Sequence, residues 1–325
     1  MKAGFRHVYG PVPSRRLGRS LGVDLVPFKT CTYDCIYCQL GRTTNKTIER
    51  KEYVGIDGVL AELETKLNVG RAPDYICLAG SGEPTLNLRI GDLIERIKDR
   101  TRIPVAVLTN GSLLWMPDVR DALMAADLVL PSLDAGTEHL FHHVNRPHGD
   151  ISFETMVEGL AEFTEKFPKS VWLEVFLLAG ITGIPSELVM ISALARHIRP
   201  ERVQLNTVCR PPVEDFAFAL SPEQMLAFRG VFPGQVDIIS ERKNNDPCTA
   251  DSRVEFEDIP ALLSRRPCTL EDVAGSLGMD IKEALKHLSI LVSAGKAKTV
   301  VMGGRRFYVA ARVRKTAKLS NEHAE

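Results

Sequence analysis

The sequence predicts an α/β protein of βα repeats, arranged as an open sheet or as a partial (βα)6 barrel, with a small helical domain at its C-terminal end. Two observations carry this prediction. From about Leu21 onward, short apolar runs alternate with amphipathic segments. After about residue 240 the pattern changes to closely spaced helices and one β-rich segment.

Six apolar runs predict the strands of the sheet. They are residues 21–27, 74–80, 104–110, 127–133, 171–178 and 202–208, and a further strand is predicted at 235–240. Their apolar character is nearly continuous, which is typical of strands buried on both faces of a parallel sheet. In such folds the site residues follow the carboxyl ends of the strands, so the loops after these runs are the candidates for function.

Amphipathic segments between the runs predict helices. Apolar residues recur there at three- and four-residue steps, which places them on one helix face. The segments are residues 58–67, 90–99, 153–167 and 186–198.

The C-terminal region follows a different pattern. A polar stretch at 241–253 predicts a boundary. Three helices at 254–264, 269–279 and 280–295, and a hairpin around Gly303–Gly304, then predict a winged helix-turn-helix. The expected division is therefore a barrel at 1–243, a winged-helix domain at 254–312 and a basic, polar tail at 313–325.

The composition is that of an ordinary folded protein, with 44% hydrophobic and 25% charged residues among 325. No apolar run approaches the roughly 20 residues that cross a bilayer, and the basic start lacks the apolar segment of a signal peptide. We therefore expect a cytoplasmic protein without a membrane partner. In a reducing compartment, clustered cysteines favour metal binding or redox chemistry over disulfides.

The zero net charge of the whole chain conceals a basic C-terminal region. Residues 264–318 hold twelve Lys and Arg against four Asp and Glu, a net charge of +8. Lys282 and Lys286 lie on the third predicted helix, and Arg305 and Arg306 lie in the hairpin. This clustering favours contact with nucleic acid. The alternative is a solvated face on a small protein-docking domain.

Three of the seven cysteines fall within eight positions, after the first predicted strand. Cys31, Cys35 and Cys38 have the spacing C-x3-C-x2-C, and no later C-x-x-C pair exists. Thiolates are the usual ligands of zinc and of iron–sulfur clusters, but three are one short of a closed site. The triad fits a cubane cluster whose fourth iron is open to an external ligand. Cys209, beside Arg210, is a weaker candidate for hydrogen relay or a second metal.

The cysteine spacing, with Tyr37 directly before the last cysteine, resembles the signature of the radical S-adenosylmethionine (SAM) superfamily over roughly residues 20–240. The resemblance implies a partial barrel with one [4Fe-4S] cluster on the three cysteines. It also implies that the amino and carboxylate groups of SAM complete the unique iron. The catalytic residues toward substrate stay unassigned.

Further motifs of this superfamily imply the cofactor-binding residues. "GSGEPT" at 80–85 resembles the glycine-rich second-strand motif that holds the SAM amino group, with Ser81 in place of the usual glycine. "SLD" at 132–134 and "VQLN" at 203–206 stand where ribose and adenine contacts are expected. Asn110 is added to the predicted SAM contacts only because it lies at the end of a predicted strand. The predicted SAM contacts are Gly80, Ser81, Gly82, Glu83, Asn110, Ser132, Asp134 and Asn206.

Two segments, at 8–44 and 144–154, resemble a narrower group of radical SAM proteins placed with the wyosine-type tRNA-modifying enzymes. The expected function is therefore reductive cleavage of SAM to a 5′-deoxyadenosyl radical, which abstracts hydrogen from tRNA or another RNA. A protein or peptide is the alternative substrate. A ferredoxin or flavodoxin would supply the electron. An alternative from a different functional class is a non-catalytic iron–sulfur regulator that binds DNA.

Overall fold

The computed structural model describes residues 7–68, 72–239 and 258–311. The predicted tail at 313–325, the boundary stretch around Cys248 and four of the basic C-terminal residues lie outside the described residues. Those four residues are Arg312, Arg314, Lys315 and Lys318.

The described residues form twelve strands and ten α-helices. The strands are β1 (Val8–Ser14), β2 (Gly18–Val23), β3 (Thr30–Cys31), β4 (Asn45–Lys46), β5 (Tyr75–Leu78), β6 (Val105–Thr109), β7 (Leu128–Pro131), β8 (Ser170–Leu177), β9 (Arg202–Thr207), β10 (Gln235–Ile238), β11 (Ala297–Met302) and β12 (Arg305–Ala310). The helices are α1 (Ile56–Leu67), α2 (Ile90–Arg100), α3 (Pro117–Leu123), α4 (Glu138–Val144), α5 (Phe153–Lys166), α6 (Pro185–Ile198), α7 (Pro222–Arg229), α8 (Asp258–Arg265), α9 (Leu270–Leu277) and α10 (Ile281–Ser293).

Eight strands form one sheet in the order β1-β2-β5-β6-β7-β8-β9-β10. From β2 to β10 every neighbouring pair is parallel, as the continuous apolar runs predict. The first predicted strand is shifted: β2 ends at Val23, so residues 24–27 belong to the following loop. The sequence prediction missed β1, which pairs with β2 in the antiparallel sense. It also missed α3 and α7, which are too short to show a helical period clearly.

The parallel strands are buried on both faces, but the two faces differ. In β8, Val171, Leu173 and Val175 pack into the large core that the sheet shares with its helices. The alternate residues Trp172, Glu174 and Phe176 are half-buried on the opposite face. This second face is the inner wall of the sheet, because successive side chains of a strand point to opposite sides.

An ion pair across the inner face requires the sheet to curve. Arg16 lies in the turn between β1 and β2, and its two Nη atoms donate to the carboxylate of Glu174 at 2.8 Å each. In a flat sheet β2 and β8 would lie about 19 Å apart, four strand spacings of about 4.8 Å. That gap exceeds the reach of an arginine side chain. The sheet therefore bends toward a barrel, and the ion pair crosses its interior.

The C-terminal helices α8 to α10 and the hairpin β11–β12 build a separate small core. Thr269 begins α9 with a capping box to Asp272, and Gly278 ends that helix. This unit packs on the sheet: Val12 of β1 contacts its core. Arg265 donates from Nε to Asp24 Oδ2 at 3.0 Å. No helix in the described part of the chain is long and apolar enough to cross a membrane.

We expect Arg16→Met to destabilise the fold by about 3–5 kcal/mol near pH 8, because Glu174 would keep a buried charge without its partner. Burial alone would raise the pKa of Glu174, but Arg16 and the hydrogen bonds from Arg16 and Asn206 hold it below its usual value. The pair's contribution is therefore present above the usual carboxyl pKa and lost as the pH falls through the lowered one.

In the variant, Glu174 can shed its charge by protonation, so the loss of stability should shrink towards pH 5. Denaturant unfolding followed by circular dichroism at the two pH values measures this. An equal loss at both pH values would show that the charge of Glu174 does not depend on Arg16.

We expect Arg265→Met to lower the denaturant midpoint clearly, because Asp24 is left buried and unpaired at the contact with the C-terminal unit. The Asp24 and Arg265 side chains are only 7% and 13% exposed. The double variant Asp24→Asn/Arg265→Met should lose less than the sum of the two single variants, since no charge is then stranded. Strict additivity would contradict the coupling.

Candidate functional site

The cysteine loop follows β2 and is held by short local contacts. Cys31 lies in β3, whose two residues pair with those of β4. The amide of Thr47 donates to Cys31 O at 3.1 Å, and the amide of Cys38 donates to Cys35 O at 3.1 Å. The three cysteines are half-buried and form no disulfide. The predicted loop after the first strand therefore holds all three cysteines in one short segment with backbone hydrogen bonds.

Each of the three sulfurs meets a nitrogen donor from a neighbouring segment. The contacts are Lys29 Nζ to Cys38 Sγ at 3.1 Å, Asn110 Nδ2 to Cys31 Sγ at 3.7 Å and Asn145 Nδ2 to Cys35 Sγ at 3.6 Å. Donors of this kind favour the thiolate over the thiol. Burial raises the pKa of the Cys31 thiol to about 12.

The donor set fits an iron–sulfur cluster: three thiols on one loop, each beside an N–H donor, with a cation next to Cys38. In the part of the chain that the structure describes, no three His, Cys, Asp or Glu residues are grouped as a metal site. The assignment of Cys31, Cys35 and Cys38 as ligands thus stays a prediction that the surroundings of the sulfurs support.

The glycine loop at 80–83 packs directly on the cysteine loop. The Lys29 amide donates to Ser81 O at 2.7 Å, and the Glu83 amide donates to Thr30 O at 3.1 Å. A Cβ atom on Gly82 would lie 1.8 Å from Thr30 O, so only glycine allows this approach.

The start of the same loop is held from the other side. The Ser81 amide donates to Asp24 Oδ1 at 2.6 Å, and a Cβ atom on Gly80 would lie 1.7 Å from that oxygen. Asp24 is also the residue that receives Arg265 of the C-terminal unit. One carboxylate therefore joins the glycine loop to the C-terminal unit.

Glu83 ties the glycine loop to the end of β6. Its Oε1 accepts from the Thr85 amide at 3.1 Å and from the hydroxyls of Thr85 and Thr109 at 2.6 Å each. Its Oε2 accepts from the Asn110 amide at 2.8 Å. Burial raises the pKa of Glu83, while these hydrogen bonds oppose the rise. The carboxylate has a structural role in this arrangement, and its contact with a SAM amino group stays a prediction.

Asn110 lies between β6 and the cysteine loop. Its Nδ2 donates to Thr32 Oγ1 at 2.7 Å, and its Oδ1 accepts from the Ser112 amide at 3.0 Å. The structure thus brings this strand-end residue beside Cys31, as its position after a predicted strand suggested.

Asp134 lies behind the cysteine loop and is only 4% exposed. It accepts from Tyr37 Oη at 2.5 Å, from Asn145 Nδ2 at 2.7 Å and from the Phe176 amide at 3.2 Å. Burial raises the pKa of Asp134 to about 6, against the hydrogen bonds from Tyr37 and Asn145. Ser132 forms a parallel bridge with Glu174 of β8.

Asn206 is buried on the inner face near the end of β9. Its Nδ2 donates to Glu174 Oε1 at 2.7 Å, and its Oδ1 accepts from Arg15 Nη1 at 3.4 Å and from the Thr207 amide at 3.0 Å. Its register partner in β8 is Phe176, whose ring stacks on Tyr37 with centroids 3.9 Å apart. The inner face thus connects the cysteine loop with the Arg16–Glu174 pair.

Sequence reasoning missed several residues around the cysteines. Lys29 and Asn145 are donors to sulfurs, and Arg15 and Arg16 reach the inner face from the β1–β2 turn. Asn145 directly follows α4, where its backbone also holds the cysteine loop: the Asp34 amide donates to Asn145 O at 3.0 Å. These residues lie in the two segments, 8–44 and 144–154, that stood out by their resemblance to a narrower protein group, and that resemblance was the signal available.

The remaining described cysteines lie apart from the loop. Cys77 is buried on the inner face, and the Cys268 thiol is buried in the C-terminal unit and donates to Arg266 O at 3.5 Å. Cys209 is half-buried after β9, with Arg210 Nη1 at 3.9 Å from its Sγ. None of them contacts the three-cysteine loop through a described hydrogen bond.

Some known proteins are similar to this chain in sequence, and others are similar in fold. The sequence model of the radical SAM superfamily matches residues 25–188. A protein of Brachyspira hyodysenteriae named GTPase Obg is 40% identical over 92% of this chain, which spans only 44% of that protein. A UPF0026 protein of Methanocaldococcus jannaschii is 32% identical, with 93% of this chain and 95% of that protein aligned.

The fold resembles a radical SAM methyltransferase from Sphaerobacter thermophilus, with a TM-score of 0.52 and 18% identity. The similarity covers 67% of this chain and 66% of that one, and it establishes the likeness of the mostly parallel sheet to a radical SAM partial barrel. Because the family match spans half of the chain and the full-length relative aligns almost throughout, this protein belongs to the radical SAM superfamily of enzymes and to the UPF0026 family.

Proposed function

We propose that this protein is a radical SAM enzyme whose single [4Fe-4S] cluster is held by Cys31, Cys35 and Cys38 and whose substrate is RNA, tRNA in particular. The observation that carries the cofactor site is the packing of the glycine loop on the cysteine loop. The close approach at Gly82 and the backbone contacts of Ser81 and Glu83 join the glycine loop to the cysteine loop.

The proposed chemistry belongs to the cofactors. When bound and reduced, the cluster supplies one electron that cleaves SAM to methionine and a 5′-deoxyadenosyl radical, which takes hydrogen from the substrate. Gly80, Ser81, Gly82 and Glu83 would line the SAM amino group. The other proposed SAM contacts are Asn110, Ser132, Asp134 and Asn206.

Residues of this chain would shape the space in which SAM and the substrate react. Asp134 fixes Tyr37 by a hydrogen bond, and Phe176 stacks on that ring. The inner face also carries an apolar cluster that includes Ala106 and Leu130, which are buried. A dry wall of this kind suits radical chemistry, because a primary alkyl radical takes the nearest available hydrogen.

The RNA assignment rests on the C-terminal unit, which we propose is the winged helix-turn-helix predicted at 254–312 and which the structure describes over 258–311. Its exposed cations lie on α10, in the turn after it and on the hairpin: Lys282, Lys286, Lys296, Lys298, Arg305 and Arg306. Clustered cations are typical of phosphate contact. The resemblance of residues 8–44 to the wyosine-type group supports tRNA as the particular RNA.

A protein or peptide substrate is the second candidate, since the same unit exposes large apolar side chains. Ile281, Leu285 and Ile290 of α10 are 52%, 44% and 47% exposed, and Val301 of β11 is 68% exposed. Exposed apolar side chains on one small unit favour a protein partner. The non-catalytic regulator does not fit membership in an enzyme superfamily.

The proposed enzyme also needs an electron donor and a reducing compartment. A ferredoxin or flavodoxin would supply the electron, and the cytoplasm would keep the thiols reduced. The GTPase activity in the name of the Brachyspira protein is not proposed, because this chain has no G-x-x-x-x-G-K-[ST] phosphate loop.

We expect the anaerobically reconstituted protein to release 5′-deoxyadenosine from SAM in the presence of dithionite. Replacing any one of Cys31, Cys35 and Cys38 by Ala should abolish this product and remove most of the iron, because each thiolate holds one iron of the cluster. Mass spectrometry of the nucleoside and an iron assay measure the two effects.

Cys77→Ala is the matched control, since Cys77 is a cysteine outside the loop. It should retain iron and product. If a loop variant keeps full iron content and full product, its cysteine is not a ligand.

We expect tRNA binding to weaken in Lys282→Gln/Lys286→Gln, with a salt dependence that is lower by up to about two units of slope, because two phosphate contacts are lost. Lys51→Gln/Lys166→Gln removes the same charge from exposed positions on the barrel and is the control. Fluorescence anisotropy at several salt concentrations measures both.

The identity of the substrate is tested in cells. Deletion of the gene should remove or change one modified nucleoside in the mass spectrum of digested tRNA. An unchanged nucleoside profile, together with unchanged binding by the α10 variant, would transfer the proposal to a protein or peptide.

A further inference from the structure

Two arginines lie where the inner face of the sheet adjoins the C-terminal unit. Arg15 extends from the β1–β2 turn to Asn206, near the end of β9, with Nη1 at 3.4 Å from Oδ1. Arg210 follows the same strand and lies beside Cys209. The neighbouring Arg16 forms an ion pair with Glu174. Arg15 and Arg210 carry the positive charges that this pair does not neutralise.

Arg15 is half-buried and poorly compensated. The long contact with Asn206 is its one hydrogen bond to the described residues, and it forms no ion pair with them. Burial lowers the pKa of Arg15, the nearby Arg210 and Arg16 guanidinium groups lower it further, and Cys209 and Glu174 oppose this only in part. Glu174 is the carboxylate that acts on this guanidinium group, and it is already paired with Arg16.

Arg210 has a similar deficit. Its side chain is 13% exposed, and its Nη2 lies 3.8 Å from Asp272 Oδ2, beyond hydrogen-bond distance. That oxygen already accepts the Thr269 amide at 3.2 Å in the cap of α9. The Nε atom of Arg210 is buried and has no hydrogen-bond partner among the described residues.

We propose that Arg15 and Arg210 form a binding site for a phosphate group at the junction of the sheet and the C-terminal unit. Burying charges that are only weakly paired is unfavourable, and a bound oxyanion would compensate them. A phosphate group suits two guanidinium groups from different elements better than a carboxylate does, because its several oxygens can accept from both forks at once.

The site deepens the function proposed above, and it rests on that proposal only for the source of the phosphate. In an RNA substrate the phosphate would belong to the nucleotide that enters the chamber. Arg15 contacts Asn206, which shares a register level with Phe176 and its Tyr37 stack. The site would therefore orient the substrate next to the cysteine loop and give specificity for nucleotides.

Calorimetric titration of the full-length protein with inorganic phosphate at low ionic strength tests the site. We expect saturable binding, weakened about tenfold or more in Arg15→Gln and in Arg210→Gln, since each removes charge-assisted hydrogen bonds. Arg15→Lys and Arg210→Lys keep the charge and lose the fork, so they should show intermediate affinity. Arg229→Gln, at an exposed position in α7, should bind like the unaltered protein.

Circular dichroism identifies any variant that fails to fold. If a glutamine variant does not fold, the phosphate affinity of the corresponding lysine variant decides. Absence of phosphate binding to the unaltered protein, or undiminished binding by both residues' variants, would overturn the site. Tighter binding of acetate than of phosphate would overturn the phosphate assignment. The titration needs neither cluster nor RNA, so its failure leaves the proposed reaction standing, and an unchanged tRNA profile leaves the site standing.

Discussion

The candidate site depends on the close approach of two loops at the carboxyl ends of adjacent strands. The glycine loop after β5 lies so near the cysteine loop after β2 that Gly82 has no room for a Cβ atom beside Thr30 O. Backbone hydrogen bonds from Lys29 and Glu83 hold the two loops together. The parallel pairing of β2 with β5 makes the approach possible, because both strands then end at the same edge of the sheet.

The same edge is connected to the rest of the molecule by buried carboxylates. Glu83 accepts a hydrogen bond from Thr109 at the end of β6, and Asp134 accepts one from Tyr37. Glu174 forms an ion pair with Arg16 across the interior. Asp24 links the glycine loop to Arg265 of the C-terminal unit.

Local patterns made the strands, most helices and the strand-end residues predictable. The cysteine loop, the glycine loop and Asn110 do lie together, because parallel strands collect their carboxyl ends at one edge. The Arg16–Glu174 contact was not predictable: it joins residues 158 positions apart and depends on the curvature of the sheet. β1 escaped notice because its seven residues include two prolines, which usually argue against a strand.

In the proposed site, three cysteines would hold a cluster and SAM would supply its remaining ligand. Electron paramagnetic resonance of the reduced, reconstituted protein, with and without SAM carrying isotope labels in its amino and carboxylate groups, tests it most directly. The account predicts a changed cluster signal with magnetic coupling to the labels. A reduced cluster whose signal is unchanged by saturating SAM and shows no coupling would contradict it.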